Sequence, residues 1–269
     1  MKTNHIKSIV LAPLLFVPVL THATVLFTEN FESYTPAQNV PTGGNWQALD
    51  PADILTAQTD SSNLFSTGNQ YGQLSLINFS SNMIARATNF TGTLNGQFSM
   101  QFNDPSGEAH SGRGWSLRLG SGAGNSSTAF GVFIDDGNLF LSSGNGVDPN
   151  GGTITTYSKD VTNSLDIVFN NDNTIYNYAG GSVASHTMDV YLNGTLVGDD
   201  LAGAGGLATG VAIATFNYTA KADPFTGTLF VDNLNVNSVA VIPESSNYAI
   251  LAGALGFLVV AYRRKRANQ

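Results

Sequence analysis

No stretch between residues 24 and 239 sustains the apolar period of an amphipathic helix. Short runs rich in β-branched and aromatic residues recur instead, at 25–33, 72–79, 83–90, 97–102, 115–119, 129–134, 139–142, 165–169, 188–192, 211–216 and 228–236. Each is bounded by Gly, Asn, Asp or Ser, the punctuation of strands joined by turns. Two turns can be typed from the residues. Asp136-Gly137 separates Phe133-Ile134 from Leu139-Phe140, and Asn193-Gly194 separates Val190-Tyr191-Leu192 from Leu196-Val197. Both dipeptides accept the positive φ that a type I′ hairpin needs at its central residues. In the last run the apolar positions slip from Leu229 and Val231 to Leu234 and Val236, which predicts a bulge near Asn233. Glycine-rich segments at 120–124, 144–152 and 201–210 read as long loops. Repetition at a fixed period is absent, which argues against propellers and β-helices.

The 269-residue chain has no cysteine, so neither disulfides nor thiolate-bound metals hold it together and a hydrophobic core must do so. About 215 residues between the two chain ends suffice for one large sandwich. The expected fold is all-β, a two-sheet antiparallel sandwich over 24–238.

The two ends read differently. Lys2 and Lys7 precede an apolar stretch at 9–20 interrupted by Pro13 and Pro18, and Thr21-His22-Ala23 ends in a small residue. Residues 1–23 are therefore expected to be a secretory signal peptide cleaved after Ala23. Residues 248–262 (YAILAGALGFLVVAY) carry no charge, have a tyrosine at each end, and run into Arg263, Arg264, Lys265 and Arg266. A helix of about 15 residues rises about 22 Å against a hydrocarbon core of about 30 Å. It reads as a short transmembrane helix whose cations stay in the cytoplasm, leaving 24–240 outside the inner membrane.

Pro243-Glu244-Ser245, the helix and the basic end together resemble the PEP-CTERM sorting signal of Gram-negative bacteria. Pro243 and Glu244 match the first two motif positions; Ser245 stands where the family has a second proline. The resemblance covers 239–269. It implies handling by exosortase, a membrane transpeptidase, with loss or exchange of the tail and delivery to the cell surface or extracellular matrix, often alongside extracellular polysaccharide.

Between 24 and 240 five basic residues (Arg86, Arg113, Arg118, Lys159, Lys221) face eighteen acids, a net charge of about −13. A nucleic-acid partner is not expected, because that binding rests on clustered Lys and Arg.

Three segments carry a second resemblance. The opening Leu26-Phe27-Thr28-Glu29-Asn30-Phe31-Glu32-Ser33-Tyr34, the Met188–Val197 hairpin and the closing Leu229-Phe230-Val231-Asp232-Asn233-Leu234 are similar to the concanavalin A-like lectin/glucanase jelly roll. The resemblance implies a jelly-roll sandwich whose first and last strands pair within one sheet, covering edges that would otherwise template aggregation.

Candidate sites follow. Glu29 and Glu32 are spaced i, i+3, which on a strand puts them on opposite faces, unlike the paired carboxylates of a glycosidase. Glucanases of the fold carry a Glu-x-Asp-x-x-Glu cluster, and this sequence has none. Glu108 and His110, near Arg113 and Trp115, form an acid–imidazole pairing able to move protons. Asp135-Asp136, Asp148-Pro149-Asn150, 170–173 and Asp199-Asp200 offer the hard oxygen ligands of a structural Ca²⁺, though Asp and Asn also build ordinary turns. Trp46, Tyr157 and Tyr176 lie in loop-like surroundings and are the candidate sugar-stacking residues, while aromatics also dominate β cores. The reading that results is an exported, non-catalytic jelly-roll protein that associates with glycans. A glycan hydrolase or lyase of the same fold and a purely structural matrix protein are its alternatives.

Overall fold

The structure, a computed structural model, describes residues 23–66, 68–81, 83–107, 110–220 and 224–241. The strands of the first half are β1 (Val25–Glu29), β2 (Gln38–Asn39), β3 (Trp46–Asp50), β4 (Leu55–Thr59), β5 (Gln70–Phe79), β6 (Met83–Ala87), β7 (Asn95–Asn103), β8 (Trp115–Gly120) and β9 (Thr128–Asp135). The remainder are β10 (Asn138–Leu141), β11 (Thr153–Thr156), β12 (Asn163–Asn170), β13 (Tyr176–Tyr178), β14 (Gly181–Val183), β15 (Thr187–Leu192), β16 (Thr195–Ala202), β17 (Thr215–Ala220) and β18 (Phe225–Asn237). A nine-stranded sheet runs β16-β15-β12-β7-β18-β5-β4-β2 with β1 added beside β18, and a seven-stranded sheet runs β11-β10-β9-β8-β17-β6-β3. All pairings between strands are antiparallel, as the sequence predicts. A small β13–β14 hairpin stands apart from both sheets.

Alternation along the strands builds the core. Phe98, Met100 and Phe102 of β7 and Leu165, Ile167 and Phe169 of β12 are buried from one sheet; Trp115, Leu117 and Leu119 of β8 and Phe130, Val132 and Ile134 of β9 are buried from the other. Phe216 of β17 is the meeting point, with ring centroids 5.1 Å from Phe27, 6.0 Å from Trp46 and 5.0 Å from Phe98. Edge-on aromatic pairs of this kind each add about 1 kcal/mol beyond the area they bury.

The local expectations hold where they rest on backbone chemistry. Asp136 and Gly137 have φ of 47° and 82°, Asn193 and Gly194 of 51° and 75°, and each pair closes a two-residue hairpin, Asp135 opposite Asn138 and Leu192 opposite Thr195. Asn233 has φ 52° where β18 slips register against β7 between Asp232 and Asn235. First and last strands do pair, Glu29 opposite Leu234 and Phe27 opposite Val236. One edge of β18 is thus shared by β5 over Phe225 to Val231 and by β1 over Leu234 to Asn237.

Several boundaries differ. The run from 25 to 33 stops being a strand at Glu29, because Phe31 turns to φ 60° and its N–H donates to Glu29 Oε1 at 2.8 Å. Phe31 then lays its ring on β5 at Gly72, where a Cβ would come within 2.4 Å of the ring. The strand expected at 211–216 begins only at Thr215 and runs to Ala220. β3, β4, β11, β13 and β14 lie outside the runs expected to be strands, and the loop expected from 201 is strand through Ala202. Among the described residues no helix is long and apolar enough to cross a membrane. The segment at 248–262, with Pro243, Glu244, Arg263, Arg264, Lys265 and Arg266, lies outside them; Ala23 is half-buried.

Candidate functional site

The three aromatics expected to stack sugars do not come together. Trp46 is fully buried on the inner side of the seven-stranded sheet. Its indole N–H donates to Glu29 Oε2 at 3.2 Å, and its ring lies between Phe31 and Phe216, so neither ring face is open to a sugar. Tyr157 is buried at one end of the sandwich, donating to Asp104 Oδ2 at 2.6 Å and meeting Phe102 edge-on. Tyr176 belongs to the separate hairpin over the nine-stranded sheet; it stacks on Tyr178 and its hydroxyl accepts the Ala240 N–H at 2.8 Å. For Trp46 and Tyr157 distant partners convert a loop-like aromatic into a packed one, while Tyr176 stays half-buried.

Glu29 and Glu32 do diverge. Glu29 is buried and accepts from Tyr34, Asn45, Trp46 and the Phe31 N–H, a structural role, while Glu32 is exposed and accepts the Gln70 N–H. Glu108 lies outside the described residues. His110 instead stands between Asp104, which the sequence does not point to, and Asp135, expected only as a calcium ligand: Nε2 lies 3.8 Å from Asp104 and Nδ1 3.5 Å from Asp135, with Nε2 also 3.2 Å from the Thr228 carbonyl. Burial pushes the imidazole pKa down, but Asp135, Asp104 and the Thr228 carbonyl outweigh it and leave the pKa raised. The His110 side chain is wholly buried, and with Asp104 and Asp135 it braces this end of the seven-stranded sheet.

The loops expected to offer calcium ligands spend their oxygens on protein donors. Asp148 pairs with Arg113, Asp136 with Lys159, and Asp200 Oδ1 accepts from the Ala184 N–H and the Thr187 hydroxyl. Asn170 directs its amide at three carbonyls. Among the described residues no group of three or more acidic, cysteine or histidine side chains is placed to hold a metal.

The outer face of the seven-stranded sheet is different. Strand register sets Ala48, Arg86, Asn217 and Arg118 in one row across β3, β6, β17 and β8, and Asp50, Ile84, Thr219 and Ser116 in the next. Arg118 is only 6% exposed. Its Nε–H donates to Ser116 Oγ at 3.3 Å and Nη1 to Asn125 Oδ1 at 2.8 Å, both neutral acceptors, and burial lowers its pKa to about 10. Gly146, at φ 83°, packs against it: a Cβ there would sit 3.1 Å from Arg118 Cδ and 2.8 Å from Thr128 Cγ2, so glycine lets the loop from 143 to 152 approach the guanidinium closely. Arg86 donates through Nη2 to Asn89 Oδ1 at 2.7 Å. Arg86 Nε, Asn217 Oδ1, Thr219 Oγ1 and Ser142 Oγ are buried without a hydrogen-bond partner among the described residues. Buried polar atoms left unpaired are uncommon and costly, of order 1–3 kcal/mol each, and these four lie on or beside this face, with others elsewhere in the sandwich. A cleft of about 350 Å³ opens beside them, lined by Arg118, Asn125, Thr219, Asp50, Ile84 and Val147 among others.

Two large antiparallel sheets, with a polar cleft on the outer face of the smaller, make an all-β sandwich. No protein-family model matches the chain, and no curated protein matches it in sequence. Solved structures are similar to it at low identity. The botulinum neurotoxin serotype D binding domain is 15% identical with a TM-score of 0.44, over 84% of this chain and 51% of that one. Domain 4 of AbnA, a GH43 extracellular arabinanase from Geobacillus stearothermophilus in complex with arabinotriose, is 15% identical with a TM-score of 0.43, over 82% and 95%. A sialidase is 9% identical with a TM-score of 0.44, over 68% of this chain and 17% of that one. The chain therefore spans about half of the neurotoxin domain and a small part of the sialidase.

Proposed function

We propose that the protein is an exported, non-catalytic surface or matrix protein whose sandwich associates with glycans through the outer face of the seven-stranded sheet. The observation that carries this reading is the Arg86–Asn217–Arg118 row beside its cleft. Planar, partly unpaired polar groups next to apolar surface from Ile84 and Val147 are the mixture that orients a sugar ring and its hydroxyls. A paired-carboxylate mechanism would require a second acid about 5 Å from the first. Asp50 is the acid among the described residues lining the cleft, which favours binding over hydrolysis. Export and sorting rest on the sequence: the signal peptide ending at Ala23, the Pro243-Glu244 step and the basic end resembling an exosortase substrate.

Affinity electrophoresis of the full-length chain, purified in detergent, through gels holding different polysaccharides tests the binding. Retardation by at least one polysaccharide, weakened in Thr219→Ala at the cleft wall, is expected; equal mobility in every gel overturns the reading. Release of reducing ends from the same polysaccharides would make the protein a glycan hydrolase or lyase instead. Mass spectrometry of the chain recovered outside the cell tests the sorting. A species starting near Thr24 and lacking the tail is expected, and one ending at Gln269 overturns it.

A further inference from the structure

Four cations fall within the described residues, and they divide into two kinds. Arg113 pairs with Asp148, and Lys159 pairs with Asp136 and sits 3.5 Å from Asp104. Arg118 and Arg86 have no carboxylate within ion-pair distance among the described residues; their acceptors are Ser116, Asn125 and Asn89. A guanidinium taken out of water without an anion carries a desolvation cost that hydrogen bonds to neutral oxygens repay only in part. Arg118 bears that cost at the edge of a cleft, with N–H donors beyond those used on Ser116 and Asn125. A planar fork of free donors in a partly dry cleft matches the two oxygens of a carboxylate or sulfate. Thr219 Oγ1, unpaired and lining the same cleft, can take part in a bond with a sugar hydroxyl beside it.

We infer that the cleft at Arg118 receives the oxyanion substituent of an acidic sugar residue, with Arg86 on the same row reinforcing the preference, so that the ligand is an acidic rather than a neutral polysaccharide. This rests on the glycan-binding reading above and narrows it. Long-range attraction cannot produce such a preference, because the region from 24 to 240 carries about −13 and repels polyanions as a whole. The selectivity must be local. Asp50, exposed at the rim of the cleft, opposes an incoming anion and so gives a second handle.

The experiment measures binding of the full-length chain, in detergent and at physiological salt, to matched pairs: a polyuronate against its carboxyl-reduced neutral counterpart, and dextran sulfate against dextran. The expected result is that one acidic member binds at least about tenfold more tightly than its neutral partner, as a charge-assisted bidentate contact requires. Which pair shows the effect identifies the substituent as carboxylate or sulfate. Arg118→Gln should erase the difference, and Arg118→Lys should recover only part of it, since the fork is lost. Should Arg118 variants fail to fold, Asp50→Asn, at an exposed position, should tighten binding of the acidic member several-fold and leave the neutral one unchanged. Equal affinity within both pairs, or an acidic preference insensitive to Arg118→Gln and to Asp50→Asn, overturns the inference while leaving glycan binding standing. Failure to bind any polysaccharide overturns both.

Discussion

Trp46 Nε1 lies 3.2 Å from Glu29 Oε2, and this bond ties the first strand of the nine-stranded sheet to the first strand of the seven-stranded one. Glu29 is 3% exposed and accepts from four donors at once, so its carboxylate is the polar hub on which the chain turns after β1. Replacing it by Ala strands the Trp46, Tyr34 and Asn45 donors. Glu29→Ala is expected to cost about 3 kcal/mol or more, measured by denaturant unfolding. Glu29→Gln, which keeps the shape but trades an acceptor for a donor, should cost less than Glu29→Ala.

Gly72 and Phe31 offer a test of packing. With a Cβ at 72 directed 2.4 Å from the Phe31 ring, Gly72→Ala should destabilise the fold by about 1–3 kcal/mol. Phe31→Leu alone should also destabilise it, and the double variant should lose less than the two single losses combined. A double-mutant cycle reads the coupling; strict additivity would show that the two residues do not share space.

Gly194, at φ 75°, separates turn chemistry from packing, because a Cβ there meets nothing within 4 Å. Gly194→Ala is expected to cost about 1–2 kcal/mol through backbone strain alone. Gly194→Asn, a residue that tolerates the left-handed region, should recover part of that loss.

His110 makes stability depend on pH. Its folded pKa is raised above the ordinary 6.5, so the imidazolium is bound more tightly in the folded state than in the unfolded one. The resulting stabilisation is fully present below about 6.5 and is lost as pH rises through the higher folded value. Unfolding free energy should therefore fall between mildly acidic and mildly alkaline buffers, and His110→Asn should flatten that slope.

Asp232 acts in a lower window with the same sign. Burial first, then the charges of Glu32 and Asp60, raise its pKa from 3.8 to about 6 despite bonds from Asn233 and Asn69. The unfolded carboxyl ionises before the folded one, so stability declines as pH rises from about 4 to about 6. Asp232→Asn should remove this decline while leaving the His110 window in place.

The sequence exposes what short-range chemistry decides and hides what register decides. Asp136-Gly137, Asn193-Gly194 and the slip near Asn233 are legible because each rests on a φ requirement satisfied within a few residues. β4, with the polar sequence Leu-Thr-Ala-Gln-Thr, resembles a loop until β5 pairs with it. Trp46 follows Gly43-Gly44-Asn45 and looks exposed, yet Glu29 and Phe216, far away along the chain, settle its burial. The cleft was the least legible feature, since Arg86, Arg118 and Asn217 meet only through pairing of three strands. A faint local signal existed: Arg86 and Arg118 are the charged residues within the apolar runs at 83–90 and 115–119, where a cation on a strand must face outward.

The pairing of β1 with β18 brings the two ends of the sandwich side by side, Thr24 and Ser238 exchanging backbone and hydroxyl bonds. A load pulling those ends apart would peel β1 away one bond after another, a weak direction. A load entering through residue 238 alone, as for a domain tethered by its tail while gripping a polymer at the far sheet, meets a different geometry. It runs along β18, held by β7 on one side and by β5 and β1 on the other, so the ladder bonds are sheared together. Forced opening is governed by the unfolding rate, and this strand order makes the tethered direction the slow one.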